Sequence, residues 1–164
     1  MQIFAQAHAL GGEARIVGGA VRDWLANYPV SDIDMAINLP IETVASHMVA
    51  CDMRVVETSL KHGTITLYDD NDQIELTQTR VDLESDGRHA IVAHDQDWAR
   101  DAARRDFTIN ALYLDSSGGI FDPLDGKADL LAGRLRFAGD AGLRVQEDAL
   151  RMIRYCRFLP RFTA

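Results

Sequence analysis

Residues 14–37 read ARIVGGAVRDWLANYPVSDIDMAI, and this run decides the fold class. Residues 14–17 are β-prone and run into Gly18-Gly19, whereas residues 20–26 carry helical spacing and stop at Asn27-Tyr28-Pro29. Residues 32–37 then alternate as a strand does. A strand, a glycine turn, a helix and a second strand in so short a span predict an α/β unit whose chemistry sits at the turn and at the start of the second strand.

Working outward, residues 40–50 look helical, with Pro40 near the start. Residues 54–57, 64–68 and 74–79 are short β-rich runs separated by His62-Gly63 and by the polar turn Asp69-Asp70-Asn71-Asp72. Residues 82–97, DLESDGRHAIVAHDQD, are polar, contain Gly87 and have no clean period, which predicts a mobile loop. A helix is expected over 98–105, and a hairpin where Ser116-Ser117-Gly118 separates 111–115 from 119–121. A short helix near 128–131 and a strand over 134–137 would follow, then one helix over 146–159 stopped by Pro160. The sum is an α/β (α+β) class: a small mixed sheet with flanking helices, then a terminal helix.

The chain has 164 residues, 47% of them hydrophobic, enough for one compact domain and an appendage. Neither a targeting segment nor a run long enough to span a bilayer is legible, which predicts a soluble, cytoplasmic protein with no membrane partner. Cys51 and Cys156 are isolated, so neither a disulfide nor a cysteine metal site is expected. His62, His89 and His94 lack zinc spacing, and Trp24 and Trp98 read as packing residues. The net charge of −8 argues at first against nucleic acid, but it is uneven. Residues 1–133 hold 10 Lys+Arg against 22 Asp+Glu, while 134–164 hold seven Arg against three acids. A basic ending follows an acidic body, and an acidic body can still handle nucleotides if its carboxylates hold metal ions and its few cations converge.

Asp32 and Asp34 are spaced i and i+2, so on a strand their carboxylates share a face while Ile33 and Met35 point to the core. Two such carboxylates suit Mg²⁺, which is usually held by one or two acids plus substrate phosphates, as in two-metal nucleotidyl transfer. Standing alone, the spacing would describe only an exposed strand face. It is preceded, however, by Gly18-Gly19 at a strand-to-helix turn, where backbone N–H groups and the helix dipole favour an anion and Arg22 can add a charge-assisted contact. Glu75, between Ile74 and Leu76, has the pattern of a third acid facing the same site, or of an ordinary edge-strand acid. Arg104-Arg105-Asp106 and Asn110 offer cations, a carboxylate and an amide within two helical turns: a phosphate contact from Arg105 ordered by Asp106 and Asn110, or a capped helix end.

On the last helix, Glu147, Arg151 and Arg154 fall on one stripe with Asp148 beside them. This is either a salt-bridge ladder or a base reader. An Asp accepting from an exocyclic amine beside an Arg donating to a ring nitrogen would select C and A over U and G.

Taken in order, GGAVRDWL (18–25), SDIDMAI (31–37), residues 85–113, FDPLDGKADL (121–130) and EDALRMIRYCRF (147–158) resemble the bacterial tRNA CCA-adding enzymes and the related bacterial poly(A) polymerases, within the polymerase-β-like nucleotidyltransferase superfamily. The resemblance runs over residues 14–162. It implies catalytic Mg²⁺ at Asp32 and Asp34, nucleotide contacts at Gly19, Arg22, Arg105, Arg151 and Arg154, and a base-reading pair at Asp148 and Arg151. It further implies CTP and ATP as substrates, a tRNA 3′ end as acceptor, and a division into a head at 1–138 and the start of a helical neck at 139–164. Family members continue into body and tail segments beyond that neck, so an uncovered apolar face and self-association are expected here. CCA addition is the favoured reading. Poly(A) synthesis, and a nucleotide- or RNA-binding module without catalysis, stand as alternatives.

Overall fold

The computed structural model describes residues 2–69, 72–85 and 90–163. The predicted α/β class is what forms: a seven-stranded mixed sheet in the order β3-β4-β5-β2-β1-β8-β9, with helices on its faces. The strands are β1 (Ala14–Val17), β2 (Ile33–Ile37), β3 (Arg54–Ser59), β4 (Thr64–Asp69), β5 (Asp72–Gln78), β8 (Tyr113–Leu114) and β9 (Ile120–Phe121). β2 lies at the centre, antiparallel to β1 and parallel to β5, and the other pairs are antiparallel.

Strand alternation sorts the side chains of β2. Met35 and Ile37 are buried against Ile65, Leu67 and Leu76 of the sheet and against Ile3 and Ala7 of α1 (Gln2–Ala9) and Ile41, Val44 and Met48 of α3 (Ile41–Ala50). Ala36 points the other way, into a second cluster with Val17, Tyr113, Trp98 and Ala102, the last two on α4 (Trp98–Ala103). Asp34 shares the face of Ala36, so the acids stand where the second face of the sheet is left open. Helix α2 (Gly19–Leu25) starts directly after β1, and α5 (Gly126–Leu131) packs behind a 3-10 turn at Thr108–Asn110. A third, aromatic cluster of Phe107, Phe158 and Phe162 docks the last helix, α7 (Leu150–Phe162), on this turn.

Five expectations are corrected. Residues 82–97 are not simply a loop: β6 (Arg80–Ser85) and β7 (Ala90–His94) form an antiparallel ribbon, with residues 86–89 and the predicted histidine His89 outside the described residues. The two strands pair with each other, which local periodicity cannot reveal. Residues 134–137 make only one bridge, Phe107 to Phe137, because Arg134 and Arg136 turn to bind Asp129. Helix α4 ends at Ala103, so Arg105, Asp106 and Asn110 sit on a turn and a 3-10 turn rather than on two helical turns. Residues 146–159 are not one helix: α6 (Ala141–Glu147) ends at an extended Asp148, whose carboxylate caps Leu150 N at 2.9 Å, and α7 carries Pro160 inside its last turn instead of stopping there. Trp24 is 53% exposed and packs little, because α2 turns Ala20 and Val21 inward, whereas Trp98 is buried edge-to-face with Tyr113.

Candidate active site

The turn between β1 and α2 is built on Gly18, whose φ of 66° and ψ of −122° suit only glycine. Its N–H is spent on Leu112 O at 3.0 Å, so the N–H groups that follow it in the first turn of α2 are the ones open to a ligand. Gly19 stands where an added Cβ would come 3.6 Å from Arg22 Nη2. Arg22 is buried, sandwiched against the rings of Phe158 and Phe162, and donates through Nη1 to Asn110 Oδ1 at 2.6 Å and through Nε to Asp23 Oδ1 at 2.8 Å. Asn110 in turn donates to Asp106 Oδ1 at 3.1 Å, and Arg154 Nη2 lies 2.7 Å from Asp106 Oδ2, a close charge contact out of line for a hydrogen bond. Asp106 and Asn110 thus order two arginines, one from α2 and one from α7.

Arg105 is held by residues that the sequence reading passed over. It donates to Tyr113 Oη at 2.9 Å and to Asp101 Oδ2 at 3.1 Å, while Arg104 reaches Asp101 Oδ1 at 2.8 Å. Burial pushes the Asp101 carboxyl up, but the guanidiniums of Arg105 and Arg104 and the Tyr113 hydroxyl outweigh it and hold it below the ordinary carboxylate value. The same burial drives the Tyr113 phenol far up, so it stays a donor. Asp101 was findable: it precedes Arg104 and Arg105 by three and four residues on a helix.

Asp32 stands just ahead of β2 and Asp34 on it, both at the cavity surface. Although Asp34 reaches solvent, the surrounding protein pushes its carboxyl up, the charge of Asp32 pushes it further, and Arg105 only partly offsets both. An Asp34 carboxylate made costlier to ionise by the surrounding protein and by its acidic neighbour is a place where a cation is favoured. Among the described residues no three His, Cys, Asp or Glu side chains cluster tightly enough to hold a metal alone. A divalent cation can be held by one or two carboxylates, with water and phosphate completing its shell. Glu75 is in register with Asp34 across β2 and β5 but is not part of such a cluster.

Gly18, Gly19, Arg22, Asp32, Asp34, Arg105, Asp106, Asn110, Asp148, Arg151 and Arg154 line one cavity of about 680 Å³, within the range of small-molecule sites. Glu75 is the one predicted residue that does not. Asp148 and Arg151 both line the cavity, joined through the backbone by Arg151 N–H donating to Asp148 O at 3.1 Å, while the Arg151 guanidinium donates to Glu147 Oε2 at 2.6 Å and to Arg104 O at 3.3 Å. The ladder reading is therefore half present, as Arg144, Glu147 and Arg151, while Arg154 leaves it for Asp106.

The fold is the head fold of CCA-adding enzymes. Over 96% of this chain and 37% of the other, it matches the Bacillus stearothermophilus CCA-adding enzyme in complex with CTP, with a TM-score of 0.86 and 34% identity. It also matches, at a TM-score of 0.76 and 27% identity over 97% and 44% of the two chains, a tRNA nucleotidyltransferase complexed with a primer tRNA and an incoming ATP analog. The model of the poly A polymerase head domain family matches residues 14–136, and the chain belongs to that family. The mitochondrial CCA tRNA nucleotidyltransferase 1 of Danio rerio is 43% identical over 153 residues, 93% of this chain. The chain spans little more than a third, 36%, of that relative's length.

Proposed function

We propose that this chain is the catalytic end of a template-independent RNA nucleotidyltransferase that adds C and A from CTP and ATP to the 3′ end of tRNA. The observation that carries the reading is the single cavity in which a glycine turn, two carboxylates and the α7 pair Asp148 and Arg151 meet. In this reading Asp32 and Asp34 hold Mg²⁺, which would neutralise charge at the reacting phosphate and ease ionisation of the attacking hydroxyl. The RNA 3′ hydroxyl attacks the α-phosphate and pyrophosphate leaves. N–H groups at the start of α2, with Arg22 and Arg105, hold the triphosphate; Asn110, backed by Asp106, keeps Arg22 aimed, and Asp101 and Tyr113 keep Arg105 aimed. Asp148 and Arg151 present an acceptor and a donor to the base, which suits the amine-plus-ring-nitrogen edge of C and A. Glu75 serves as an accessory acid beside Asp34. Residues 1–138 act as the head and 139–164 as the start of a neck, consistent with a family match that ends at 136. Among the described residues no helix is long and apolar enough to cross a membrane, and the cytoplasm is our reading of where the protein works.

The test is incubation with Mg²⁺, a tRNA lacking its CCA and each of the four triphosphates separately. Incorporation of CMP and then AMP supports the reading. The description of the matching family favours a second one, poly(A) synthesis, and incorporation of AMP alone in long runs would select it.

A further inference from the structure

Three arginines of the cavity wall, Arg104, Arg157 and Arg161, have no part in the reading above. Arg104 is committed to Asp101 at 2.8 Å. Arg157 is exposed and, among the described residues, has no carboxylate partner; its contact is the ring of Phe158 at 5.2 Å. Arg161 is exposed, reaches Asp23 Oδ2 at 3.2 Å and lies over the ring of Tyr28. Arg154, Arg157 and Arg161 are spaced i, i+3 and i+7 along α7, one stripe about 10 Å long at 1.5 Å per residue. It runs from Arg154, held against Asp106, to the connection between α2 and β2, where Tyr28 Oη donates to Arg161 O at 3.2 Å, a few residues before Asp32.

We propose that Arg157 and Arg161 hold backbone phosphates of the RNA strand whose 3′ end is extended, making the outer stripe of α7 the track along which that strand reaches Asp32 and Asp34. This rests on RNA being the acceptor. The incoming triphosphate is already met at both ends, by Asp148 and Arg151 and by the glycine turn with Arg22 and Arg105. The other cavity arginines share their charge with acids: Arg151 with Glu147, Arg105 with Asp101, Arg154 with Asp106. Arg157 keeps its charge whole, and Arg161, paired with Asp23 at 3.2 Å, is exposed enough to turn to a phosphate. In a chain of net charge −8 a polyanion is repelled by most of the surface, so its approach must follow the uncommitted cations.

The experiment is equilibrium anisotropy of a short 5′-labelled single-stranded RNA with the full chain, from roughly 50 to 200 mM KCl, for wild type, Arg157→Ala, Arg157→Ala/Arg161→Ala and Arg100→Ala. Arg100 is an exposed arginine paired with Asp95 outside the cavity and controls for removal of one positive charge. Taking one guanidinium off an RNA phosphate should lower the slope of log affinity against log salt by about 0.7, so the double variant should fall by about 1.4 while the control keeps the wild-type slope. CTP and ATP binding, measured by calorimetry, should stay at wild-type affinity in all four proteins. An unchanged slope in the double variant, an equal fall in the control, or no RNA binding by wild type at the lowest salt overturns the proposal. So does loss of CTP and ATP affinity at an unchanged slope, which would give the stripe to the triphosphate. Failure of wild type to bind CTP or ATP would instead strike the nucleotidyltransferase reading, and the RNA slopes would still decide this one.

Discussion

Removing Asp32 or Asp34 takes away one of two charges that crowd each other, so Asp32→Ala and Asp34→Ala are each expected to abolish nucleotide incorporation in a primer-extension gel at an unreduced melting temperature. A cooperative loss of folding in either would mean the acids brace β2 instead. Asp148→Ala and Arg154→Ala should separate two jobs. The first should relax discrimination against UTP and GTP, since mismatched donors and acceptors cost about 1–3 kcal/mol per group. The second should weaken all four triphosphates alike; calorimetry on each reads the difference, and an unchanged C and A preference in Asp148→Ala would return the base reader to some other residue. Asp101 gives a pH test. A carboxyl held below its ordinary value stabilises the fold at pH above that value, and the stabilisation drains away as pH falls through the folded value. Asp101→Asn, which leaves Arg104 and Arg105 without their buried acid, should cost about 3 kcal/mol near neutral pH and flatten the acid limb of the melting curve. Equal acid limbs in the two proteins would contradict the assignment. At this scale the sequence was most readable where a period of two or a glycine pair forces geometry, as at Asp32, Asp34 and Gly18. Asp101, Asp23 and Tyr113 act through other side chains, and their importance appears only once the arginines are seen to need holding.

Among elements, α5 has a role larger than its six residues. Asp129, fully buried, accepts from Thr108 Oγ1 at 2.6 Å and from the Nε atoms of Arg134 and Arg136, and so clamps the 3-10 turn that presents Asn110. Gly126, at the start of α5, lies so close to the Thr108 carbonyl that any Cβ would collide with backbone. Gly126→Ala should therefore cost about 1–3 kcal/mol by overpacking and lower incorporation beyond what the reduced stability explains, as Asn110 is displaced from Arg22. Denaturant melts alongside incorporation rates check this; unaltered rates would show that the turn can shift without moving Asn110. The periodic elements β1, α2, β2, α3, β4 and β5 were legible within a residue or two of their ends. Helix α1 was not, since Ile3 and Ala7 are its only fully buried positions, too few to set a period even with Gly11, at a φ of 78°, closing its C-terminus. The β6 and β7 ribbon depends on a partner strand, and the break at Asp148 depends on a carboxylate choosing a backbone N–H over the helix. Pro160 misled because it costs the helix one N–H bond while its fixed φ suits the helix, and the last turn is held by Phe158 and Phe162 in the aromatic cluster.

For the whole molecule, the division into an acidic body and a basic ending was readable from composition, but where they meet was not. The aromatic cluster of Phe107, Phe158 and Phe162 that seats α7 beside Arg22 joins residues far apart in the chain, and only the fold brings them together. The position of β2 between an antiparallel neighbour and a parallel one also bears on how the molecule assembles. β3, β4 and β5 form a local antiparallel meander whose loops are short, whereas β2 ends at Ile37 and its partner β5 begins at Asp72, with α3 and two strands intervening. Loop-closure entropy favours the meander first and its docking onto β2 afterwards. Pulse-labelled hydrogen exchange during refolding should therefore protect the amides of residues 64–68 before those of 33–37, and simultaneous protection would contradict that order. On this schedule Asp34 meets the strand that carries Glu75 in one of the last steps, so the chain acquires its shape before it acquires its chemistry, and an incompletely folded molecule is also a silent one.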